Sequence, residues 1–464
     1  MLSMQTEKQQ LTCADIFHGQ RVLVVGLGDT GLSCVRFLHA RGVELAVTDS
    51  RMAPPGLKIL QEEFPDVGVF VGGFDQQAIE RADVLLLSPG VSLKTSEIAT
   101  AATQGKLIIG DIEVFARCVN KPVIAITGSN GKSTVTALIG EMARVARKQV
   151  YVGGNIGTPA LQLVEHNHDA QLYVLELSSF QLETTYTLDA AASVILNISE
   201  DHMDRYASLT EYAQAKARVY HGSGAIVVNQ DDAYVEALAR EFAAQREVYR
   251  FTLGNPADDR CFGVVHKEGF ALLARGKQAL LPVNEILIKG QHNVANALAC
   301  LALGSAVGLP MPAMLEALRE FPGLPHRTQW VAEHNGVQWF NDSKATNVGA
   351  ALAAISGLPA NTLFVILGGQ GKGQDFTPLH DALATRNSHA LLLGEDAHRI
   401  ATALGEQIPQ TQVKDMAEAV ATAQQLAKSG DVVLLSPACA SFDMFNGYAH
   451  RGQVFTQLVK EAVQ

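Results

Sequence analysis

The stretch Val123-Ile-Ala-Ile-Thr-Gly-Ser-Asn-Gly-Lys-Ser-Thr134 decides the fold. It opens on a short apolar run, turns through two glycines and continues into a helical pattern. That order reads as a buried strand, a tight turn and a helix start. The first turn of a helix leaves backbone N–H groups unpaired, and these bind phosphate oxygens. Gly128 and Gly131 let the chain curl around phosphates, with Ser129 and Asn130 between them. Lys132 would neutralise β- and γ-phosphate charge, and the hydroxyl of Ser133 or Thr134 would reach Mg²⁺. The strict pattern G-x-x-x-x-G-K-[ST] asks for glycine where Ile126 stands. An ordinary strand–helix turn with a surface lysine is the plain alternative. The strand–turn–helix context favours phosphate binding.

Toward the N-terminus, Gly26-Leu-Gly-Asp-Thr-Gly31 also follows a strand-like run and opens a helical pattern. Asp49 stands near the end of the next strand, about 20 residues on, where a dinucleotide-binding acid would meet a ribose. A dehydrogenase is therefore one reading. The other is that this turn binds a different diphosphate, such as a UDP-sugar, at the same kind of helix N-terminus. The second phosphate loop favours the latter, since a dehydrogenase needs no ATP site.

Toward the C-terminus, Glu176 ends the run Leu172-Tyr-Val-Leu-Glu176, and Val194–Asn197 leads into Ile198-Ser-Glu-Asp-His-Met-Asp204. Ligands of open α/β sheets bind beyond such strand ends. Glu176 and His202 would thus leave the sheet on the phosphate-loop edge, as Mg²⁺ ligands. A buried paired acid and a turn-capping histidine are the structural alternatives. Lys216 lies in the helical stretch Ser208–Tyr220, where spacing alone reads as a solvated lysine.

Short β-branched runs alternate with helical patterns in three segments, which argues for parallel sheets covered by helices. The strand runs are Arg21–Val25, Leu45–Thr48 and Val84–Leu87, then Val123–Thr127, Tyr173–Leu177, Val194–Asn197 and Ala225–Asn229. Leu363–Leu367, Ala390–Leu393 and Val432–Leu435 follow. Residues 249–283 look hairpin-like and are expected to form an antiparallel annex to the central segment. Asn335-Gly336, between Gln329–Val331 and Val337–Phe340, signals a type I′ hairpin. Lys121-Pro122 and Gly323-Leu324-Pro325 read as linkers. The divisions expected are 1–120, 121–324 and 325–464.

With 464 residues, 47% of them apolar, the chain can build several cores. Its six cysteines, Cys13, Cys34, Cys118, Cys261, Cys300 and Cys439, show no CxxC spacing. They predict free buried thiols in a reducing compartment rather than a zinc or redox site. The formal net charge is −11, without a basic stripe, so nucleic acid is not an expected partner. No run is long and apolar enough to insert in a membrane. Residues 1–10 lack the apolar core of a signal peptide, and the reading is cytoplasmic.

At this point the residues resemble the Mur ligase family, which builds the peptide of bacterial cell-wall precursors. The resemblance rests on Thr127–Thr134, Gly154-Asn155-Ile156-Gly157, Glu176-Leu-Ser-Ser-Phe-Gln181, Asp201-His202-Met203-Asp204, Gly290-Gln-His-Asn293 and Leu324-Pro-His-Arg327, in that order. It covers all but about the first 18 residues, which look like an extension with a loosely tied terminus. Asn341-Asp-Ser-Lys-Ala-Thr-Asn347, Gly368-Gly-Gln-Gly-Lys372 and Ser436-Pro-Ala-Cys-Ala-Ser441 are similar to the members that add D-glutamate to UDP-N-acetylmuramoyl-L-alanine. The resemblance implies an α/β fold of three domains: a Rossmann-like N-terminal domain for the UDP substrate, a central P-loop-type ATPase domain with a parallel sheet, and a C-terminal Rossmann-like domain for the amino acid.

The resemblance also implies a residue set. The UDP substrate would meet Asp29 and Thr30, then Asp49, Ser50 and Arg51, then Ser88 and Gly90, with Asn155, Ser178 and Gln181 near its sugar. Asp29 stands where an apolar residue is expected. ATP would use Gly128 through Thr134, with Asn293 and Asn296 near the base and Arg327 and Asp342 reaching across. Ser133, Glu176 and His202 would hold two Mg²⁺ ions, joined by Lys216 if that lysine is carbamylated. D-glutamate would meet Lys344, Thr346, Lys372, Ser441 and Tyr448, the last where Phe is expected. The catalytic set is then Lys132, Glu176, His202 and Lys216. The expected enzyme is a monomer that forms an acyl phosphate and closes its domains over it.

Three rivals stand beside this reading. A folylpolyglutamate synthetase shares the reaction type, and the complete Gly26–Gly31 domain argues against it. A nicotinamide dehydrogenase would transfer hydride. A nucleotide-switch module would bind partners without consuming ATP in proportion to an amino acid added.

Overall fold

A computed structural model of the chain describes residues 16–166 and 169–463. The expectations for residues 1–10 and for Cys13 lie outside the described residues. Cys34, Cys261, Cys300 and Cys439 are buried, as their apolar flanks predict, whereas Cys118 is only partly buried, against that expectation.

The first sheet contains β1 (Arg21–Val25), β2 (Glu44–Asp49), β3 (Gly68–Val71), β4 (Val84–Leu87) and β5 (Leu107–Gly110). Its order is β3-β2-β1-β4-β5, all parallel. The order reverses direction between β1 and β4, so a crevice opens beyond their C-terminal ends. Gly26 leaves β1 there, and Ser88 leaves β4.

The second sheet contains β6 (Val123–Thr127), β7 (Val150–Gly154), β8 (Leu172–Glu176), β9 (Ala192–Ile195), β10 (Ala225–Asn229), β11 (Val248–Phe251), β12 (Cys261–Lys267), β13 (Phe270–Arg275) and β14 (Gln278–Pro282). Its order is β14-β13-β12-β11-β10-β9-β6-β8-β7. β6 lies between β9 and β8, and all five of its residues are buried. A strand covered on both faces is almost continuously apolar, which is why Val123–Ile126 does not alternate, and the buried Thr127 hydroxyl at its end donates to the Leu177 carbonyl. The phosphate loop leaves β6, Glu176 ends β8, and the His202 loop follows β9. Three neighbouring parallel strands therefore deliver these groups to one edge.

The expectation for residues 249–283 needs correction. β11 pairs parallel to β10, and β12 pairs parallel to β11. Only β12–β14 run antiparallel, so the segment extends the central sheet rather than forming an annex. Glu268 and Gly269, with φ of 52° and 83°, make the turn between β12 and β13, so the hairpin-like part of the expectation holds there. The alternation of a strand does not reveal which neighbour it pairs with.

The third sheet contains β15 (Gln329–His334), β16 (Val337–Asn341), β17 (Leu363–Gly368), β18 (Ser388–Leu393), β19 (Gln410–Gln412) and β20 (Val432–Leu435). Its order is β15-β16-β20-β17-β18-β19, parallel except for the β15–β16 hairpin. Asn335 and Gly336 both have positive φ, 52° and 76°, as a type I′ turn requires.

The cores show which parts are joined. One continuous core joins a face of the first sheet to a face of the second, running from Phe17 and Phe115 to Leu161, Tyr173 and Tyr220. The third sheet has its own cores on each face. The joint between the first two sheets is also polar. Glu113, on the helix Asp111–Cys118, is fully buried. Its Oε2 accepts the backbone N–H groups of Tyr186 (2.7 Å) and Thr187 (2.8 Å). Its Oε1 accepts Thr187 Oγ1 (2.9 Å) and Arg117 Nε (2.8 Å). Gly110 N–H donates to the Thr184 carbonyl at 3.1 Å.

Glu113→Ala leaves those donors unpaired and should cost about 3–5 kcal/mol. Both tryptophans, Trp330 and Trp339, lie in the third unit. Urea unfolding followed by far-ultraviolet circular dichroism should therefore gain an early transition in E113A, while the tryptophan fluorescence midpoint stays put. Coincident shifts of both signals would contradict separate cooperative units.

Candidate functional site

The phosphate loop is built as its glycines demand. Gly128 has φ 147° and Gly131 has φ 85°, a region that other residues rarely enter. A Cβ on Gly131 would stand 2.5 Å from Asn296 Oδ1, so the loop is pressed against the helix Gln291–Ala306. The helix Lys132–Val145 begins directly after it. Lys132 Nζ donates to the Gly128 and Ser129 carbonyls at 2.8 and 2.9 Å. Burial pushes its pKa down.

Lys216 is the largest departure from a plain reading of its helix. It sits on the buried face of Leu209–Ala217, 1% exposed. Its Nζ donates to the Gly128 carbonyl at 2.9 Å and lies 4.5 Å from the centre of the Tyr212 ring. Burial, reinforced by Lys132, holds its pKa well below that of a free lysine. A neutral amine is therefore accessible, facing the loop.

Glu176 is 3% exposed. Its Oε1 accepts Asn155 Nδ2 at 2.8 Å. Its Oε2 is buried and has no hydrogen-bond partner. A bare carboxylate oxygen in a dry site is costly unless a cation meets it, and this one faces a phosphate loop. That suits a hard divalent cation. Among the described residues no three His, Cys, Asp or Glu side chains converge into a cage. Mg²⁺ fits this sparse set, because it takes few protein ligands and fills its octahedron with phosphate and water. Ser133 Oγ and His202 are the other groups at hand. His202 has φ 57° and packs edge-on against Phe180, with ring centres 4.7 Å apart. Burial keeps its imidazole pKa low, so a ring nitrogen is available as a ligand.

Of the two residues expected to reach across, Arg327 touches the loop itself, while Asp342 is held within its own unit and lines the shared cavity. Arg327 Nη2 donates to Ser133 Oγ at 2.6 Å. Asp342 accepts the Thr328 N–H (3.0 Å) and the Ser436 hydroxyl (2.8 Å). Burial raises its pKa to about 7. A cavity of about 330 Å³ lies beside the loop, lined by Asn130, Gly131, Thr134, Asn293, Asn296, Arg327, Asp342 and Lys344. His292 and Thr328 also line it, and the sequence reading missed both. His292 Nδ1 lies 3.2 Å from the Ala353 carbonyl and its Nε2 lies 3.3 Å from Thr328 Oγ1, so it bridges the second and third units. Burial drops its pKa to about 4. Asn347 Nδ2 donates to Asn130 Oδ1 at 3.4 Å, a further contact between those units.

A second cavity, about 540 Å³, opens at the crevice of the first sheet. Asp29, Thr30, Asp49, Ser50, Arg51, Ser88, Gly90, Asn155 and Gln181 all line it. Asp49 is engaged already: it accepts the Leu27 N–H at 2.7 Å and Arg51 Nη2 at 2.6 Å. Those partners outweigh its burial and lower its pKa to about 2. It shapes the glycine turn and aims Arg51. Ser178 lies off this wall. Its Oγ accepts the Gln181 N–H at 3.2 Å as the cap of the helix Ser179–Glu183. Asn155 lines this cavity and also holds Glu176.

The third unit presents loops to the same edge. Lys344 lies 3.9 Å from the centre of the Tyr448 ring. Burial, with Arg327 and Lys132 nearby, lowers its pKa to about 8. Thr346 follows in the same loop, its N–H bonded to the Lys344 carbonyl at 2.8 Å. Gln370 and Ala440 exchange backbone hydrogen bonds, which sets the Lys372 loop beside Ser441. Ser441 is buried, and no regular helix starts on it. Lys372 is exposed, and its charge reaches His202 across the cleft. One brace went unnoticed in the sequence. Arg451, 2% exposed, donates to the carbonyls of Ser343, Cys439 and Ala440 and to Ser343 Oγ. It clamps the Lys344 loop to the Ser441 loop. An arginine in a C-terminal helix gives no such signal in sequence.

Family models match in three stretches: "Mur ligase MurD-like, N-terminal domain" over residues 20–110, "Mur ligase middle domain" over 126–304 and "Mur ligase, glutamate ligase domain" over 326–439. Among curated relatives, the UDP-N-acetylmuramoylalanine--D-glutamate ligase of Nitrosococcus oceani is 54% identical over 440 residues, covering 95% of this chain and 96% of its own. The protein of the same name in Methylococcus capsulatus is 51% identical over 441 residues, covering 95% and 94%. Solved structures show the same fold at low identity. The UDP-N-acetylmuramate-alanine ligase of Thermotoga maritima aligns with TM-score 0.58 at 17% identity, over 96% of this chain and 100% of that one. MurF of Acinetobacter baumannii aligns with TM-score 0.58 at 17% identity, over 95% and 93%.

Proposed function

The chain belongs to the Mur ligase family, and on that footing we propose that it uses ATP to join D-glutamate to UDP-N-acetylmuramoyl-L-alanine in peptidoglycan precursor synthesis. The observation that carries this reading is a phosphate loop met by Lys132 and Lys216 at its own carbonyls and by Arg327 at Ser133, with Lys344 on the wall of the adjoining cavity. Glu176, which acts on all four, keeps one oxygen bare beside them. A triphosphate with its divalent cation suits that arrangement.

The division of labour follows the three sheets. Residues 1–120 bind the UDP moiety in the larger cavity, through Asp29, Thr30, Ser50, Arg51, Ser88 and Gly90. Residues 121–324 bind ATP, with its base toward Asn293 and Asn296 and its phosphates on Gly128–Thr134. Residues 325–464 bind D-glutamate through Lys344, Thr346, Lys372, Ser441 and Tyr448. Two carboxylates on the amino acid match two lysines there.

In the first step an oxygen of the alanine carboxylate attacks the γ-phosphorus, and the bond to the β–γ bridging oxygen breaks. ADP leaves and an acyl phosphate remains. Lys132 and Arg327 neutralise the charge shifting on the phosphoryl oxygens. Mg²⁺ would be held by Glu176, His202 and Ser133 and supplies Lewis-acid neutralisation of the phosphates. In the second step the amine of D-glutamate attacks the acyl carbon and loses a proton. The tetrahedral intermediate expels phosphate and leaves the amide. Water would destroy the acyl phosphate, so the third unit must cover the site. The Arg327–Ser133, Asn347–Asn130 and His292–Ala353 contacts provide that cover.

The same reading makes Lys216 a carbamate. Its buried neutral amine attacks the carbon of CO₂ and releases a proton, which gives a second carboxylate-like group that would help hold a second Mg²⁺. It also makes the chain a cytoplasmic monomer, working where ATP and the nucleotide precursor are found.

Phosphate release tests the proposal. With UDP-N-acetylmuramoyl-L-alanine, ATP and Mg²⁺, release should require D-glutamate and match amide formed. L-glutamate, L-alanine and diaminopimelate should give only background. Release with one of those instead would move the chain to a sister ligase. A pH series tests the amino-acid site. Lys344 is protonated below about 8 and can hold a carboxylate there. The KM for D-glutamate should therefore climb as pH rises through about 8. In Lys344→Arg that limb should vanish, since guanidinium stays charged. An unchanged limb in K344R would remove Lys344 from the amino-acid site.

A further inference from the structure

Arg205 follows directly on the Asp201–Asp204 stretch, and nothing in the proposed reaction uses it. Its side chain is nearly buried, and it spans two units. Nη1 donates to the Pro89 carbonyl at 2.8 Å, and Nη2 donates to the Val91 carbonyl at 3.2 Å. Nη2 also pairs with Glu183 Oε2 at 2.9 Å. Pro89, Gly90 and Val91 form a wall of the larger cavity, beside Ser88. Ser88 in turn donates to the Gly26 carbonyl at 2.7 Å, so this wall is tied to the glycine turn.

The other side of Arg205 faces His202. The guanidinium carbon lies 3.9 Å from the centre of the Phe180 ring. His202 packs edge-on against that same ring. Along the backbone, the N–H groups of Arg205 and Tyr206 donate to the His202 carbonyl at 2.9 and 3.1 Å. These bonds hold His202 at φ 57°. A non-glycine residue there costs about 1–2 kcal/mol and persists only when its surroundings fix it. Lys94 of the first unit adds a second strap, with Nζ 3.3 Å from the Arg205 carbonyl and 2.7 Å from Glu211.

We propose that Arg205 is a positioning residue that couples the nucleotide-substrate wall Pro89–Val91 to the loop carrying His202. A ligand that orders the wall fixes two carbonyls, these fix the guanidinium, and the guanidinium fixes Phe180 and the turn at His202. Substrate binding in the first unit then completes the metal side of the second. The inference rests on the larger cavity being the UDP-substrate site. Lysine cannot replace the group, because one ammonium cannot meet two carbonyls and a carboxylate while stacking on a ring.

Hydrogen exchange on the full chain tests this, with UDP-N-acetylmuramoyl-L-alanine as the added ligand and calorimetry confirming saturation. In the wild type, peptides spanning 199–208 should exchange more slowly once the ligand is bound. In Arg205→Ala the ligand should still bind and protect the glycine turn, but protection of 199–208 should disappear. Turnover should fall about tenfold or more, with the KM for ATP nearly unchanged. Arg205→Lys should recover little of either. Phe180→Leu provides a second variant that keeps every Arg205 hydrogen bond; it should lower kcat while leaving the KM for the UDP substrate intact. Equal protection of 199–208 in R205A and wild type, or wild-type kcat in F180L, would overturn the coupling alone. Failure of the wild type to bind the ligand would overturn the cavity assignment and the coupling with it.

Discussion

Four basic side chains share a buried space around the phosphate loop, with Glu176 and Asp201 as the acids that oppose most of them. Lys132, Lys216, Arg327 and Lys344 all lose basicity to burial, and Glu176 is the one carboxylate that acts on every member. Burying charge costs several kcal/mol per ion. The free protein carries that cost at the one place where a triphosphate and a carboxylate substrate would relieve it. The overall charge of −11 makes the local cluster more telling. Attraction of anions here owes nothing to the global field and depends on placed groups and loop N–H donors.

The architecture serves that cluster. β6, β8 and β9 are neighbours, so Lys132, Glu176 and His202 arrive on one edge. The first sheet is welded to the second by a shared core and by Glu113, which fixes the crevice of the first sheet relative to Asn155 and Glu176. The third sheet has separate cores and touches the loop through polar contacts. A rigid pair with a separable third unit suits a reaction that must admit two substrates and then exclude water.

Much of this was legible in the sequence, for physical reasons. β6 announces itself because a doubly covered strand is almost continuously apolar. Asn335-Gly336 announces its turn because both residues must take positive φ. The glycine turns place Asp29 and the phosphate loop at strand ends, while Ser88 came only from the resemblance. What stayed hidden depends on tertiary neighbours. Lys216 has the pattern of a solvated helical lysine, yet its helix face is covered by the loop it serves. Asp49 lines the second cavity, but its sequence position does not reveal that its oxygens also hold Leu27 and Arg51. The direction of β11 and β12 could not follow from alternation. Arg451, His292 and Arg205 act by bridging loops distant in sequence, and no local pattern encodes a bridge.

The most direct test of the account follows an oxygen atom. The buried cations are held to promote attack of the alanine carboxylate on the γ-phosphoryl group, which routes one carboxylate oxygen into phosphate. UDP-N-acetylmuramoyl-L-alanine labelled with ¹⁸O in that carboxylate would be turned over with ATP and D-glutamate, and the released phosphate analysed by mass spectrometry. The account predicts one labelled oxygen in each phosphate released. Unlabelled phosphate, with the amide formed at the normal rate, would contradict it.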